Sequence, residues 1–536
     1  MNKLIYNATI TGTDTNGGFI FGTLFLKEVK VKDALSPYNA YEVKDIFSQE
    51  SDCTGETSTF YIQHGDNVYN QIKVIADKIL GKYTEVDAKG AGVSPEFLDF
   101  HEHSEFYSYN HPELEAKRKQ CVRGSVIGNC GISVYPIVKD RFELLKRSVL
   151  STLGEWPKDE DGNDVFWKDL KGFKKILKDR GVQNRLYFLT GHAALRIAAM
   201  EGNPNREATD SEIGKMCILL EEMIEQGAVG FSTGLYYAPC IFASKKELLS
   251  LLKVVAKYND RCFFAVHIRE EGNGVLESLN EVIELSKKAG CRLEISHLKA
   301  VGVKNQIKVD AMLYLIEKAK SDGLDVMFDQ YPYTYGSTSL FSLLPPDALS
   351  LKDEDLKKNM KDKAWREKIK NEMLHPNHFE SIAELCTFDN VFIQALGNTD
   401  EYNGKSINEI AKLRKDSDSF DTFFDLLLES NDLAVMKDTT TNMDSLIKIY
   451  KHPLSIYASD SLYAGKSWHE RSAECTMQAL RIARECGGGA ATFMPNAIYR
   501  MTVRGAKRLP NDETKYFSIK KSSIINPVNF DEFKLI

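Results

Sequence analysis

The feature that most constrains the fold of this chain is a series of eight short apolar runs, separated by amphipathic stretches from about residue 95 onward. Each run has the length of a β-strand, and alternation of such strands with helices is typical of βα units with parallel strands. Eight βα units close a TIM-type barrel. The eight predicted strands are 97–101, 125–130, 185–192, 228–232, 262–267, 292–297, 325–330 and 454–460.

The predicted helices between these strands carry start and stop signals. Thr209 and Glu212 have the spacing of a capping box, and Ser244 and Glu247 repeat that spacing. Gly227 stands where the first of these helices should end. The chain is therefore predicted to be an α/β protein built around a (β/α)8 barrel.

Metal-binding residue types stand at the ends of the predicted strands, where barrel enzymes place their chemistry. A single histidine at a strand end is more often a hydrogen-bonded structural residue, but several together indicate a site. In His101-Glu102-His103 both imidazoles lie on one face, because side chains alternate along a strand. The strand-end residues are His101, Cys130, His192, His267, His297, Asp329 and Asp460. Imidazole and thiolate are good zinc ligands, so a zinc site is expected.

The remaining parts of the chain predict a second domain and an insertion. Residues 1–92, together with about 508–536, are expected to form a small β-sandwich, and residues 93–507 the barrel. A long interval separates the last two barrel strands. Its part at about 338–385 is predicted to lie over the barrel mouth as a lid or binding loop, although a packing decoration explains it equally well.

Composition and charge exclude several classes of partner. The formal charge of −7 is spread along the chain, so nucleic acid is not an expected partner. An uncharged apolar run of 18 residues does not occur, so no membrane association is expected, and the predicted location is cytoplasmic. Ten cysteines without a CxxC pair do not indicate a disulfide framework.

Several segments in order along the chain resemble the N-acyl-D-amino-acid deacylases (D-aminoacylases) of the amidohydrolase superfamily. The resemblance covers roughly residues 90–505. It is carried by VSPEFLDFHEHSEF, GNCGISVYP, FSTGLYYAP, VHIREEG, ISHLKAVGVKN, FDQYPYTYGST and ASD. It implies hydrolysis of the amide bond of an N-acyl-D-amino acid, a small-molecule substrate, with zinc as the cofactor.

The resemblance also implies roles for individual residues. Cys130, His267 and His297 would hold a tight zinc ion, and His101 and His103 with Cys130 a weaker second one. Zinc would polarise the amide carbonyl and orient the attacking water. Asp460 would accept the proton of that water and pass it to the leaving amine.

Further residues would bind or support the substrate. The carboxylate of the substrate would be bound by Lys299, Tyr331, Ser337 and Arg471. His192, at the end of the third predicted strand, would be a hydrogen-bond donor behind the metal site, a helper in stabilising the oxyanion, or a purely structural residue.

Departures from the family pattern leave two alternatives open. Glu96, Glu102 and Glu470 stand where the family usually has Gly, Thr and Pro, and the carboxyl-terminal ending is short. An inactive metal-binding scaffold is therefore one alternative. Another amidohydrolase, dihydroorotase-like or D-dipeptidase-like, is the second. It is disfavoured because Phe231-Ser232-Thr233-Gly234 lacks the strand-four lysine of the dihydroorotases and hydantoinases. The preferred side chain and acyl group, the number of metals and the oligomeric state are not defined by the sequence.

Overall fold

The structure is a computed structural model. It describes residues 1–11, 20–32, 34–48, 50–51, 58–59, 63, 66–397, 399–485, 496–510, 513–519, 521, 523–529 and 534–535. Two eight-stranded sheets dominate these residues.

The first sheet is built from both ends of the chain. Its amino-terminal elements are β1 (Asn2–Ile10), β2 (Ile20–Val31), β3 (Tyr38–Ser48), β4 (Glu50–Ser51), β5 (Ser58–Thr59), α1 (Asn67–Leu80), β6 (Tyr83–Asp87) and β7 (Gly92–Ser94). β1, β2 and β3 form an antiparallel meander, and β4 and β5 pair separately as a short hairpin. Helix α1 packs on one face of the sheet through Tyr69 and Ile72, which contact Leu4 and Phe25 in one apolar cluster.

The second sheet is the barrel. Its elements in chain order are β8 (Phe97–Asp99), β9 (Glu102–His103), α2 (Glu105–Asn110), α3 (Glu115–Arg118), β10 (Val122–Ile127), α4 (Phe142–Leu153), α5 (Leu170–Asp179), β11 (Arg185–Gly191), α6 (His192–Ala199), α7 (Asp210–Glu225), β12 (Gly230–Gly234), α8 (Lys245–Ala256), β13 (Phe263–His267), α9 (Val275–Ala289), β14 (Leu293–Ile295), α10 (Val309–Ser321) and β15 (Val326–Gln330).

A third unit lies between β15 and the last barrel strand. It consists of β16 (Tyr335–Ser339), α11 (Pro346–Leu349), α12 (Asp353–Asn359), α13 (Lys363–Leu374), α14 (Ile382–Cys386), β17 (Val391–Leu396), α15 (Ile407–Arg414), α16 (Ser419–Glu429) and β18 (Ala434–Thr439). The three strands form an antiparallel sheet in the order β16-β18-β17. The unit has its own apolar core, which includes Met360, Ile369, Phe423 and Phe424.

The remaining elements complete both large sheets. They are α17 (Met443–Lys451), β19 (Ser455–Tyr457), β20 (Ser461–Leu462), α18 (Arg471–Glu485), α19 (Thr514–Phe517), β21 (Ile524–Ile525), β22 (Val528–Asn529) and β23 (Lys534–Leu535). β21 pairs with β3 and β22 with β7, which joins the carboxyl-terminal residues to the first sheet.

The barrel strands are parallel and follow the order β8-β10-β11-β12-β13-β14-β15-β19. The circle closes where the backbone N–H of Phe100 donates to the carbonyl of Tyr457 at 3.2 Å. Each of the eight predicted strands overlaps one of these strands, so the predicted TIM-type barrel is confirmed, as is the additional β domain. The fourth strand begins at Gly230, two residues later than predicted, because Gly230 pairs in register with Leu189 and Phe263.

The predicted capping signals are found with one correction. Thr209 and Glu212 form a complete capping box at the start of α7. At α8 the Ser244 side chain accepts from the Glu247 backbone N–H, but the reciprocal bond is not formed. The Glu247 carboxylate instead accepts from His192 and Arg196, which explains the difference.

Among the helices described, none is both long enough and apolar enough to cross a membrane.

Candidate metal centre

Side chains of the types that bind metals converge at the carboxyl end of the barrel. His101 follows β8, and His103 is the last residue of β9. Cys130 follows β10, and His267 ends β13. His297 follows β14 and Asp460 follows β19. All six side chains are buried, and they form three overlapping groups in which at least three ligand atoms lie close enough to share one ion.

Cys130 lies at the centre of the first group. Its Sγ is 3.3 Å from Nε2 of His101 and 3.4 Å from Nε2 of His297. This trio offers one sulfur and two nitrogen ligands, a donor set that suits zinc.

His267 belongs to another group, which it forms with His297 and Glu271. Its Nδ1 is 3.0 Å from Nε2 of His297, and its Nε2 is 3.7 Å from Glu271. The predicted set Cys130, His267 and His297 is thus divided between two groups, with His297 common to both.

The pair His101 and His103 meets at a single carboxylate oxygen. Nε2 of each imidazole is 3.4 Å from Oδ1 of Asp460. These three residues form the third group. The predicted second position therefore contains a further ligand type, the Asp460 carboxylate, beside the predicted histidines.

Hydrogen bonds on the outer nitrogens orient two of the imidazoles. Nδ1 of His101 is 3.2 Å from Oδ2 of Asp329, and an ionised carboxylate can only accept. Nδ1 of His297 is 2.9 Å from the ammonium of Lys299, which can only donate. In both rings Nε2 faces Cys130. A carboxylate behind a metal-binding histidine, as at His101, is the common arrangement in zinc sites, so the residues fit a zinc ion.

Burial keeps two of the histidines in the form that binds metals. Burial lowers the pKa of His267 and of His297 well below the usual range, and Lys299 lowers that of His297 further. Both imidazoles are therefore neutral near pH 7. Burial raises the pKa of the Cys130 thiol, whereas His101 opposes that effect. Binding of a metal as thiolate would release the thiol proton.

The backbone is strained at three of the site residues. Cys130, His297 and Asp460 have φ angles of 53°, 35° and 52°, in the left-handed region that residues other than glycine seldom adopt. Strained backbone of this kind clusters at functional sites, where the surrounding structure holds it in place.

Close backbone packing fixes the loop that carries Cys130. A Cβ on Gly234 would lie 2.4 Å from the Cys130 carbonyl oxygen, so only glycine fits at that position. The GNCG and STGL segments therefore depend on each other in space.

The four predicted carboxylate-binding residues lie together beside the metal groups. The guanidinium of Arg471 is 4.9 Å from the ring centre of Tyr331, and the ammonium of Lys299 is 6.0 Å from the same ring centre. Nη2 of Arg471 also donates to the Ser337 carbonyl at 3.1 Å. Two cations thus lie within 6.0 Å of the centre of one aromatic ring, where an anionic group would be attracted.

His192 lies in the barrel wall. Its Nδ1 is 2.8 Å from Oγ1 of Thr233, and its Nε2 is 2.8 Å from Oε1 of Glu247. Among the described residues, the hydrogen-bond partners of His192 are Thr233 and Glu247, and neither is a predicted metal ligand. Its role stays a prediction.

Sequence reasoning missed the importance of Glu271. Its Oε1 is 2.6 Å from Nζ of Lys299 and 3.2 Å from Nδ1 of His297. In the sequence, the only sign of Glu271 is its place four residues after His267. That sign was weak, because Glu270 beside it is also a glutamate.

The three unusual glutamates each have cationic partners. Glu102 is buried and contacts Lys117, which also lies 2.7 Å from Asp99. Glu96 accepts from Arg123 at 2.8 Å. Glu470 is exposed and lies 3.4 Å from Lys437. In the part of the chain that the structure describes, none of the three carboxylates forms an ion pair with a predicted metal ligand; Glu470 lies beside His469, which is not one of them.

Comparisons with known proteins place these features in context. No family model matches the chain. The chain is 34% identical to an N-acyl-D-glutamate deacylase of Alcaligenes xylosoxydans xylosoxydans over 255 residues, which are 48% of this chain and 49% of that protein. It is 31% identical over 258 residues to a D-aminoacylase of the same organism, covering 48% and 50% of the two chains. The matches span about half the length of these curated relatives.

Solved structures agree over nearly the whole chain. The N-acyl-D-glutamate deacylase of Bordetella bronchiseptica, complexed with zinc and a phosphonate inhibitor, has a TM-score of 0.70 at 23% identity, covering 98% of this chain and 89% of that one. A D-aminoacylase structure has a TM-score of 0.68 at 21% identity with the same coverage. The fold is therefore shared, and the resemblance to D-aminoacylases that the sequence predicted is confirmed.

Proposed function

We propose that this chain hydrolyses the amide bond of N-acyl-D-amino acids, releasing a carboxylate and a free D-amino acid, with zinc as its cofactor. The observation that carries the proposal is the position of the Arg471–Tyr331–Lys299 cluster next to the group of His101, Cys130 and His297. A metal site and an anion site side by side suit a substrate that has an amide and a carboxylate on neighbouring atoms.

Zinc would be held by Cys130, His267 and His297, with a second position at His101 and His103. When bound, the ion supplies a Lewis acid that polarises the amide carbonyl and favours ionisation of water. The hydrogen bond between Nδ1 of His101 and Asp329, which leaves Nε2 of that ring free to bind a metal, and the lowered pKa of His297 support this assignment.

Asp460 would accept the proton of the attacking water and pass it to the leaving amine. Its carboxylate is ionised, because Arg471 and His101 outweigh the effect of burial and hold its pKa well below the usual range. Arg471 also fixes the orientation of the carboxylate, which leaves Oδ1 directed at His101 and His103.

Lys299, Tyr331, Ser337 and Arg471 would bind the substrate carboxylate. Lys299 and Arg471 already have acidic partners in Glu271 and Asp460. The bound carboxylate would therefore share these cations with buried acids, and its position must be close to both. This restricts the substrate to one orientation.

Two alternatives differ in testable ways. Another amidohydrolase of the dihydroorotase-like or D-dipeptidase-like kind would use the same metal residues with different anchors. It is disfavoured because β12, GFSTG, contains no lysine. An inactive metal-binding scaffold would bind zinc without turnover.

The zinc content and activity of the purified protein test the proposal. Substrates are N-acetyl-D-methionine, N-acetyl-D-glutamate, their L forms, dihydroorotate and a D-dipeptide. Hydrolysis confined to the N-acetyl-D-amino acids is expected. If the protein binds zinc but hydrolyses none of these substrates, the proposal is wrong and the inactive scaffold is supported. If it hydrolyses only dihydroorotate or the dipeptide, the proposal is wrong and the other kind of amidohydrolase is supported.

Two variants complete this test. Asp460→Asn should abolish turnover while the protein retains zinc. Cys130→Ser should lower zinc content, whereas Cys217→Ser on the outer helix α7 should not.

We also propose a cytoplasmic location, supported by the eight described cysteines, which are all free.

A further inference from the structure

A cavity of about 530 Å³ opens from the metal groups toward the unit between β15 and β19. Cys130, His103 and Asp460 line its inner end. Pockets of roughly 300–1,000 Å³ enclose ligands of drug size. An acetyl group has two carbon atoms and would leave most of this volume to water. The cavity is therefore larger than the smallest acyl group requires.

Much of the outer wall of the cavity is apolar. It includes Leu144 and Leu145 of α4, Ile197 of α6, and Phe341, Leu351 and Leu356 of the unit between β15 and β19. Leu144, Phe341 and Leu351 are only half-buried, so part of their apolar surface faces the cavity. Covering such surface with an apolar ligand is favourable.

The two arginines in the wall already have partners. Arg141 donates to the carbonyls of Ile197 and Met200. Arg147 contacts Asp353, and its Nε is 3.6 Å from Oδ2 of Asp432. An anion bound at either arginine would have to break these contacts, whereas an uncharged chain would not.

The wall is held in place by side-chain amides of the loop after α6. Asn203 Nδ2 donates to the Ser350 carbonyl at 2.6 Å, and Asn205 Nδ2 donates to the Leu349 carbonyl at 2.5 Å. These bonds join the third unit to the barrel at the cavity wall. A preformed cavity reduces the ordering cost of binding.

Two of the four predicted carboxylate-binding residues, Lys299 and Tyr331, line a different, much smaller cavity, whereas Ser337 lines both cavities. Lys299 and Tyr331 line a space of about 40 Å³ that also contains Glu271, Glu380 and Asp438. A space of this volume holds about two or three water molecules and is walled by polar groups. It has room for a carboxylate but not for an aliphatic chain.

We propose that the acyl group of the substrate is a medium or long aliphatic chain that occupies the 530 Å³ cavity. This inference rests on the proposed function, because it assigns the two sides of the scissile amide to the two cavities. The amino-acid carboxylate lies at Lys299 and Tyr331, and the acyl chain extends between α4 and the third unit.

The test compares N-acetyl-, N-butyryl-, N-hexanoyl- and N-octanoyl-D-alanine with the zinc-loaded protein. One fully buried methylene contributes at most about a factor of four. We expect kcat/KM to rise with acyl length, by roughly 30-fold or more from acetyl to octanoyl. N-acetyl-D-2-aminononanoate, which carries the same seven-carbon chain on the amino-acid side, should gain little over N-acetyl-D-alanine.

Matched variants connect the effect to the cavity. Leu144→Trp, on the cavity wall, should lower the ratio of octanoyl to acetyl kcat/KM at least about tenfold. Leu249→Trp, at a half-buried position of α8 away from the cavity, should leave that ratio unchanged. Binding of octanoate by titration calorimetry gives a readout without turnover. It should exceed binding of acetate and be weakened by Leu144→Trp.

The outcomes separate this inference from the proposed function. Hydrolysis with no gain from acyl length, or a gain only from the longer side chain, overturns the inference and leaves the function. Octanoate binding that depends on Leu144, without hydrolysis of any N-acyl-D-amino acid, supports the apolar-chain site and overturns the function. If the protein neither hydrolyses an N-acyl-D-amino acid nor binds octanoate, both the inference and the proposed function are overturned.

Discussion

Nη1 of Arg471 lies 2.9 Å from Oδ2 of Asp460, and both side chains are buried. The other oxygen of the carboxylate is directed at His101 and His103. Burial alone would raise the pKa of Asp460, but Arg471 and His101 hold it well below the usual range. The arginine therefore determines that the proposed proton acceptor is ionised and where it points.

Replacing Arg471 by Met should move the acidic limb of the pH profile to higher pH. Without the cation the pKa of Asp460 rises, and the carboxylate is lost at a higher pH as the solution is acidified. Loss of the buried ion pair should also lower kcat/KM by about 10- to 100-fold. Both effects are measured from pH profiles of kcat and kcat/KM.

The control for this variant is Arg481→Met, at an exposed position of the same helix. It should leave the profile unchanged. An acidic limb that stays in place in Arg471→Met would show that Arg471 does not set the protonation of Asp460.

A buried triad of Lys117, Asp99 and Glu102 supports the first barrel strand. Lys117 contacts both carboxylates, and its side chain is 1% exposed. Lys117→Met would leave two buried carboxylates without a cation, which should lower the free energy of unfolding by about 3 kcal/mol or more. The measurement is the midpoint of denaturation at fixed pH.

Lys119→Met is the matched control, since Lys119 directly follows the same short helix and pairs with its Glu115 but is 73% exposed. Its denaturation midpoint should equal that of the unmodified protein, because exposed pairs contribute little. Equal midpoints for both variants would contradict a stabilising role of the buried triad.

Much of the barrel could be predicted from the sequence, because strand periodicity and helix caps are local signals. Seven strand-end residues were recognised because a metal-binding residue type after an apolar run is visible without knowledge of the fold. The antiparallel sheet of the third unit was not predicted, because β16 is separated from its partner β18 by 94 residues, from 339 to 434.

The pairing of buried charged side chains could not be predicted from the sequence. Glu271 reaches Lys299 from another strand end, and Lys117 reaches Asp99 across 18 residues of sequence. Such pairs depend on side-chain distances that appear only once the strands are adjacent. Likewise, the position of His297 between Cys130 and His267 follows from barrel geometry rather than from any motif.

The backbone contact between Gly234 and Cys130 gives a prediction that links packing to metal binding. A Cβ at Gly234 would approach the Cys130 carbonyl oxygen to 2.4 Å and the Tyr237 ring to 2.7 Å, so the Cys130 loop would have to shift. Gly234→Ala should therefore weaken zinc binding by about tenfold or more, as loss of a ligand-positioning contact does. Zinc affinity is measured by competition with a chelating indicator. Gly214→Ala is the control, since a Cβ there meets nothing within 4 Å in the exposed face of α7, and alanine should stabilise that helix by about 0.5–1 kcal/mol. If Gly234→Ala binds zinc as tightly as Gly214→Ala does, the packing of the STGL segment does not position Cys130.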